Sequence, residues 1–464
     1  MSDLHYLELT ELSQRLRAKQ VSPVEATQAI LARIAALDGK LHSYATLTAD
    51  LALAQAREAE AEIARGNWRG PLHGVPIAVK DLCYTKGIPT AAGMPLHADF
   101  RPAFDATVVT RLRAAGAVLL GKLQMTEGAF ARHHPDITPP VNPWAADRWT
   151  GVSSSGSGVA TAAGLCYASL GSDTGGSIRF PSASCAVTGV KPTWGRVSRH
   201  GIFPLAESLD HIGPMTRSAA DAAAVLAAIA GADPEDPTAL TAPVPDYAGE
   251  LGQGVRGLRI AIDADYNSRD VDPAVQAALK AAEAVFRGLG AEVRPAKLPS
   301  PDAVIAAWLP LCAVEMALAH EATYPFQAER YGPIVKTVIE LGRRTVGTEV
   351  ARILRDREAF RGRVTAMFEE ADLLLCPVLP GPPPTVETVA SGDYDPKAAA
   401  LRLRFTAPFD MTGSPTITLP GGFTSDGLPL AIQLVGRHLA ESVLLRAGAA
   451  FQAATEWHRR HPPL

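Results

Sequence analysis

Two runs of small and hydroxyl-bearing residues hold the side chains best suited to chemistry. The first is Gly151-Val152-Ser153-Ser154-Ser155-Gly156-Ser157-Gly158. The second is Gly171-Ser172-Asp173-Thr174-Gly175-Gly176-Ser177-Ile178-Arg179-Phe180-Pro181, and Gly189-Val190-Lys191-Pro192-Thr193 closes the region. Glycine lets a backbone come close to another backbone or to a ligand. Backbone N–H groups in such loops can converge on one spot and hold a developing negative charge. A serine hydroxyl becomes a nucleophile when a base stands beside it. The competing reading is a pair of flexible Ser/Gly loops. Against it, these clusters sit inside apolar sequence and include Asp173 and Arg179.

A candidate base lies in Gly74-Val75-Pro76-Ile77-Ala78-Val79-Lys80-Asp81. The apolar run Val75–Val79 reads as a buried strand with Lys80 at its end. Such a lysine is ordinarily solvated or paired, here with Asp81. In a closed site, desolvation lowers its pKa and favours the neutral amine, which can act as a base.

Other chemistries find less support. His320-Glu321-Ala322-Thr323-Tyr324 begins like a zincin helix but lacks the second histidine, and the adjacent His133-His134 cannot share one helix face. The Gly-rich runs are not a P-loop, and neither a GxSxG elbow nor an SxxK motif is present. A Ser-His-Asp arrangement stays open on spacing, with nothing singling out one of the 12 histidines.

The elements that must position these groups alternate helix and strand. Helices are expected over Leu7–Lys19, from a Ser22-Pro23-Val24-Glu25 capping box to near Gly39, and from about Ala49 to Arg65. Asp105 is expected to cap a helix over Ala106–Ala115, followed by a strand at 117–122. Beyond the Gly/Ser region come a helix at 218–230, a strand at 258–262, a helix at 272–289 and a strand at 291–294. Residues 301–370 read as two long helices, roughly 301–323 and 334–369. Strands follow at 373–376, 414–419 and 428–435, the last two joined through an Asp426-Gly427 turn, and a helix at 440–454 ends the pattern. This is α/β rhythm.

The totals bound the answer. A chain of 464 residues, 47% hydrophobic and 20% charged, buries a large core. A net charge of −4 gives no footprint for nucleic acid or an anionic membrane. The opening residues lack the pattern of a signal peptide. The most apolar stretch, Ala219–Ala232, is too short to span a bilayer. Five scattered cysteines without CxxC spacing fit free thiols in a reducing cytoplasm.

Taken together, residues 151–193 resemble the amidase signature family, in which a Gly/Ser run precedes G-[ST]-D-x-G-G-S-[IV]-R-x-P and G-x-K-P-T. Gly74–Asp81 looks like the family's lysine strand and Gly121–Glu127 like the strand and loop that follow. Ser208–Ser218, Pro408–Gly436 and Glu456–Arg460 are also similar, and the resemblance is weakest over 300–400. It implies a single α/β domain over 1–464, with a mixed central sheet sandwiched by helices. Within it lie an N-terminal helical segment (1–70), a catalytic core (71–230) and a variable substrate-side region (300–400).

The resemblance also implies a Ser-Ser-Lys triad: Ser177 as nucleophile, Ser153 as bridging serine and Lys80 as base. The backbone N–H groups of Thr174, Gly175, Gly176 and Ser177 would form the oxyanion hole, and the glycines would keep side chains away from the substrate carbonyl. Ser154, Asp173 and Arg179 would support the site. The family's bridging serine follows a cis peptide, here Val152–Ser153. Val152 and Ser155 replace glycines of the commoner G-G-S-S-G-G run. No metal or cofactor is implied.

The reading that follows is a stand-alone, cytoplasmic hydrolase of a small aryl or apolar amide, as a monomer or homodimer, acting through an acyl-enzyme. Carbamates, urethanes or esters would present a similar carbonyl. The alternative is a glutamine-hydrolysing amidotransferase subunit in a multi-chain complex. A non-catalytic binding module on the same fold is disfavoured by the joint presence of Lys80, Ser153 and Ser177.

Overall fold

The computed structural model describes residues 4–390 and 396–464. The expectation for the first three residues, and the part of the 300–400 region at 391–395, lie outside them. Among the described residues, eleven strands form one mixed sheet in the order β1-β3-β2-β4-β6-β5-β10-β11-β9-β7-β8. The strands are β1 (Tyr44–Leu47), β2 (Pro76–Lys80), β3 (Val118–Leu123), β4 (Ala168–Asp173), β5 (Thr188–Lys191), β6 (His211–Thr216), β7 (Arg259–Ile262), β8 (Glu292–Pro295), β9 (Leu373–Pro377), β10 (Thr416–Phe423) and β11 (Pro429–Gly436). β2 pairs in parallel with β3 and β4, and β7 with β8 and β9, while the central β4-β6-β5-β10-β11-β9 block is antiparallel. Every residue of β2 to β6 is buried, because helices cover both faces of the sheet.

Local sequence explains most element ends. The Ser22 hydroxyl accepts the Glu25 N–H at 3.0 Å, with Pro23 opening the helix Pro23–Leu41. That helix runs past Gly39 and stops where His42 takes a left-handed φ of 52°. The Ser218 side chain caps Ala219–Ile229, and Asp272 caps Pro273–Gly288. Asp105 does not cap as expected: it accepts from the Lys86 N–H and pairs with Arg113, and the helix covers Thr107–Ala114.

Two further expectations are corrected. β1 has no counterpart in the expected pattern; its alternating burial is too short to read in sequence. The helix expected over 334–369 is two, Pro333–Arg344 and Gly347–Glu370, with Thr345 and Val346 extended between them. Gly342 is pressed so close to Ala313 that an added Cβ would lie 1.9 Å from its carbonyl oxygen. The first helix therefore packs tightly on Asp302–Ala319 before the chain turns. Among the described residues Asp302–Ala319 is long and apolar enough to cross a membrane by length and composition, with a mean hydropathy of 1.7, while Ala219–Ile229 is apolar but shorter. In the longer helix Trp308, Leu311, Cys312 and Met316 are buried in the core.

The Gly/Ser region is not a pair of loops. The first run enters a helix, Ser155–Ala162; the second ends β4 and enters another, Arg179–Cys185. Both helices are fully buried. Their small residues allow close contact: a Cβ on Gly158 would sit 3.0 Å from Pro181.

Candidate active site

β2 lies beside β4 in parallel register, Val79 opposite Leu170, so Lys80 emerges at the edge of the Gly/Ser region. Its side chain is fully buried. Nζ sits 2.6 Å from Ser153 Oγ and 2.8 Å from Ser172 Oγ. Burial brings the Lys80 pKa down to about 7, against weaker opposing attraction from Cys83, Asp210 and Asp173. The expected partner, Asp81, turns away; its carboxylate lies 3.5 Å from Lys122 Nζ and accepts the Ala91 N–H. A neutral lysine can accept one hydroxyl proton while donating to a second hydroxyl oxygen, which matches the two serines around Nζ.

Ser153 is buried and follows a cis Val152–Ser153 peptide. Ser177 stands where β4 gives way to the helix Arg179–Cys185, and it is half-buried. It opens onto a cavity of about 150 Å³ walled by Phe130, Trp149, Phe180, Leu205, Trp308 and Ile334, with Arg132 and Arg402 also lining it. Among the described residues Ser177 Oγ makes no hydrogen bond, so the link to Ser153 is not closed here. Catalytic hydrogen bonds of free enzymes often tighten only when substrate binds.

The loop from Asp173 to Ser177 is held from several sides. Asp173 and Arg179 are fully buried and form a two-point pair: Arg179 Nη2 to Oδ1 at 2.8 Å and Nε to Oδ2 at 2.9 Å. Burial alone would raise the Asp173 pKa, but the Arg179 charge outweighs it and holds the carboxylate well below its usual range. Arg179 also reaches Asp410 at 2.6 Å and the Thr406 carbonyl at 2.9 Å, which ties the loop to the far half of the chain. The Thr174 hydroxyl donates to Asp210 at 2.5 Å.

This bracing engages one of the four expected oxyanion donors. The Gly176 N–H already donates to Asp173 Oδ1 at 2.7 Å, leaving Thr174, Gly175 and Ser177 as the expected donors with no partner among the described residues. The glycines also have a packing reason that the sequence reading did not give. A Cβ on Gly175 would lie 2.5 Å from the Trp308 ring, and one on Gly176, where φ is +133°, 2.5 Å from Phe180. Aromatic rings pack directly onto the loop backbone. Ser154 braces β4, its Oγ donating to the Ser172 carbonyl and accepting the Ser172 N–H, each at 3.2 Å.

Several neighbours of the site have no role in the sequence reading. Ser172, the second contact of Lys80, lies within the second Gly/Ser motif with nothing to mark it. His133 Nε2 lies 2.9 Å from Ser155 Oγ, and burial, then the Lys80 charge, brings its pKa down to about 4. Thr406 and Asp410 reach the loop from more than two hundred positions away. His320 is buried against the Tyr331 hydroxyl, and among the described residues no group of three His, Cys, Asp or Glu could hold a metal.

Known proteins match this chain over almost its whole length. The amidase family model matches residues 25–445. A Mycobacterium tuberculosis protein that carries the provisional name amidase AmiD is 50% identical over 99% of this chain and 96% of its own length. A glutamyl-tRNA(Gln) amidotransferase subunit from Moorella thermoacetica is 42% identical over 100% of this chain and 99% of its own. Among solved structures, the peptide amidase PAM in complex with the competitive inhibitor chymostatin superposes with a TM-score of 0.85. Its sequence is 32% identical, and the match covers 98% of this chain and 99% of PAM.

Proposed function

This chain belongs to the amidase signature family, and from that premise we propose that it hydrolyses the C–N bond of a small aryl or apolar amide through a serine acyl-enzyme. The observation that carries the proposal is the buried 2.6 Å contact between Lys80 Nζ and Ser153 Oγ, close to a cavity that Ser177 lines. In this mechanism neutral Lys80 takes a proton from Ser153, which takes one from Ser177. Ser177 Oγ attacks the amide carbon, and loop N–H groups hold the oxyanion of the tetrahedral intermediate. The relay returns a proton to the departing nitrogen, the C–N bond breaks, and water then cleaves the acyl-enzyme. Carbamates, urethanes and esters present a comparable carbonyl to the same groups.

The side chains that line the cavity support the apolar substrate. Residues Trp308, Ile334, Val389 and Ala399 come from the 300–400 region, which this reading makes the substrate side. The second reading, a glutamine-hydrolysing subunit, is favoured by the amidotransferase name of the 42% identical relative. Against it stands the cavity's composition: among the described lining residues none is a carboxylate that could meet the α-ammonium group of glutamine. The enzyme of this proposal acts without partner chains, as a monomer or homodimer. The five described cysteines, all buried and free, suit a reducing cytoplasm.

The test is turnover by the purified chain alone of aryl and alkyl amides, anilides, aryl carbamates and glutamine, with Ser177→Ala beside it. Turnover of simple amides or carbamates that disappears in the variant supports the proposal. Turnover of glutamine alone, or only with added partners, moves the assignment to the amidotransferase. Unchanged turnover in Ser177→Ala sinks the triad.

A further inference from the structure

Three consecutive peptide planes make up the loop ahead of Ser177, and each has its carbonyl held by a named donor. Trp308 Nε1–H donates to the Thr174 carbonyl at 2.8 Å. Thr406 Oγ1–H donates to the Gly175 carbonyl at 2.6 Å. The Phe180 N–H donates to the Gly176 carbonyl at 2.7 Å. These peptides are trans, so each N–H points opposite to the carbonyl of the residue before it. Fixing a carbonyl therefore fixes the direction of the next N–H: Trp308 sets Gly175, Thr406 sets Gly176, and Phe180 sets Ser177. The Gly176 N–H meets Asp173, as its plane requires. The Gly175 and Ser177 N–H groups are left for the substrate.

The donors differ in origin. Phe180 belongs to the same turn and would hold its plane in any chain with this local fold. Trp308 and Thr406 come from distant sequence, the helix Asp302–Ala319 and the segment just before Ala407–Met411. Trp308 is also a cavity wall, its ring near-parallel to Phe130 at an interplanar angle of 11°. The geometry points to Trp308 and Thr406 as positioning residues: Trp308 aims the Gly175 donor, and Thr406 holds the plane between the Gly175 and Ser177 donors with its N–H on Asp173, so that the substrate-side helix tunes transition-state stabilisation and not only substrate fit.

This inference rests on the proposed serine chemistry, and its test separates the two. Turnover by the unaltered enzyme, and inhibition by phenylboronic acid (which forms a tetrahedral adduct on a serine), both lost in Ser177→Ala, establish the chemistry first. Failure at that step overturns the proposed function, and this inference with it. Trp308→Phe then keeps a ring on Gly175 but removes the N–H. The expected result is a fall in kcat of about tenfold or more, part of the ~10²–10³ that loss of a whole oxyanion donor costs. KM should stay within about threefold, and boronate affinity should fall in step with kcat. Thr406→Val should act in the same direction and Thr406→Ser should restore the unaltered behaviour, which guards against a folding defect in the tryptophan variant. A raised KM with unchanged kcat would make Trp308 a wall and nothing more. A fall in kcat with unchanged boronate affinity, or equal behaviour of Thr406→Val and Thr406→Ser, would also overturn the inference.

Discussion

The protonation of Lys80 gives the most direct test of the proposed chemistry. A free lysine titrates near 10.5, and burial brings this one to about 7. That displacement corresponds to about 5 kcal/mol of lost preference for the charged form. At pH 7 an ordinary lysine is neutral in only ~0.03% of molecules, whereas Lys80 is neutral in about half, a gain of about a thousandfold in working base. The sign is fixed by the role: a base must be deprotonated, so activity rises with pH through the lysine's pKa. With a neutral amide substrate, kcat/KM should climb about tenfold between pH 6 and pH 8 and then level off. Ser172→Ala provides the internal control. The Ser172 oxygen 2.8 Å from Nζ stabilises the ammonium form, so its loss should move the inflection to lower pH. The assay is initial rates at constant ionic strength across about pH 6 to pH 10. A profile flat from pH 6 to pH 8, or one still climbing at pH 10, would refute the argument that burial makes Lys80 the base.

Ser153→Ala removes the only serine of the expected triad in contact with Lys80, and should lower kcat by about 10²–10⁴ with KM nearly constant; rates within a few-fold of the unaltered enzyme would mean Lys80 works without it. Arg179→Met leaves Asp173 and Asp410 buried without their cation and should cost about 3–5 kcal/mol of stability, read as a lower urea midpoint. An unshifted midpoint would show that the buried network contributes little to the fold. Gly175→Ala drives a methyl group against the Trp308 ring and should destabilise by about 1–3 kcal/mol while lowering kcat; a variant with full kcat would mean the loop tolerates the displacement.

Much of the site is legible in sequence because its pieces are local. Lys80 ends an apolar strand, and Ser153 and Ser177 lie in runs whose order, taken with the family resemblance, is enough to name candidates. The capping of Pro23–Leu41 by Ser22 is likewise readable, since a cap and its target are three residues apart. What escapes are consequences of packing. Ser172 becomes the second contact of Lys80 only because β4 lies beside β2. The motif makes the Gly176 N–H an expected oxyanion donor, yet the buried Asp173 carboxylate takes it, since a desolvated anion gathers every donor within reach.

Sequence by itself therefore determined the kind of chemistry available and the small residues that let helices and rings close on one loop. It could not determine which side chains aim that loop. Trp308 and Thr406 act across 134 and 231 positions of chain, and no local pattern encodes a hydrogen bond over that distance. Those bonds exist because the helix Asp302–Ala319 and the segment before Ala407–Met411 come to rest against the loop that follows β4. That arrangement is decided by burial of apolar side chains such as Leu311, Cys312 and Met316, and burial is a property of the assembled fold.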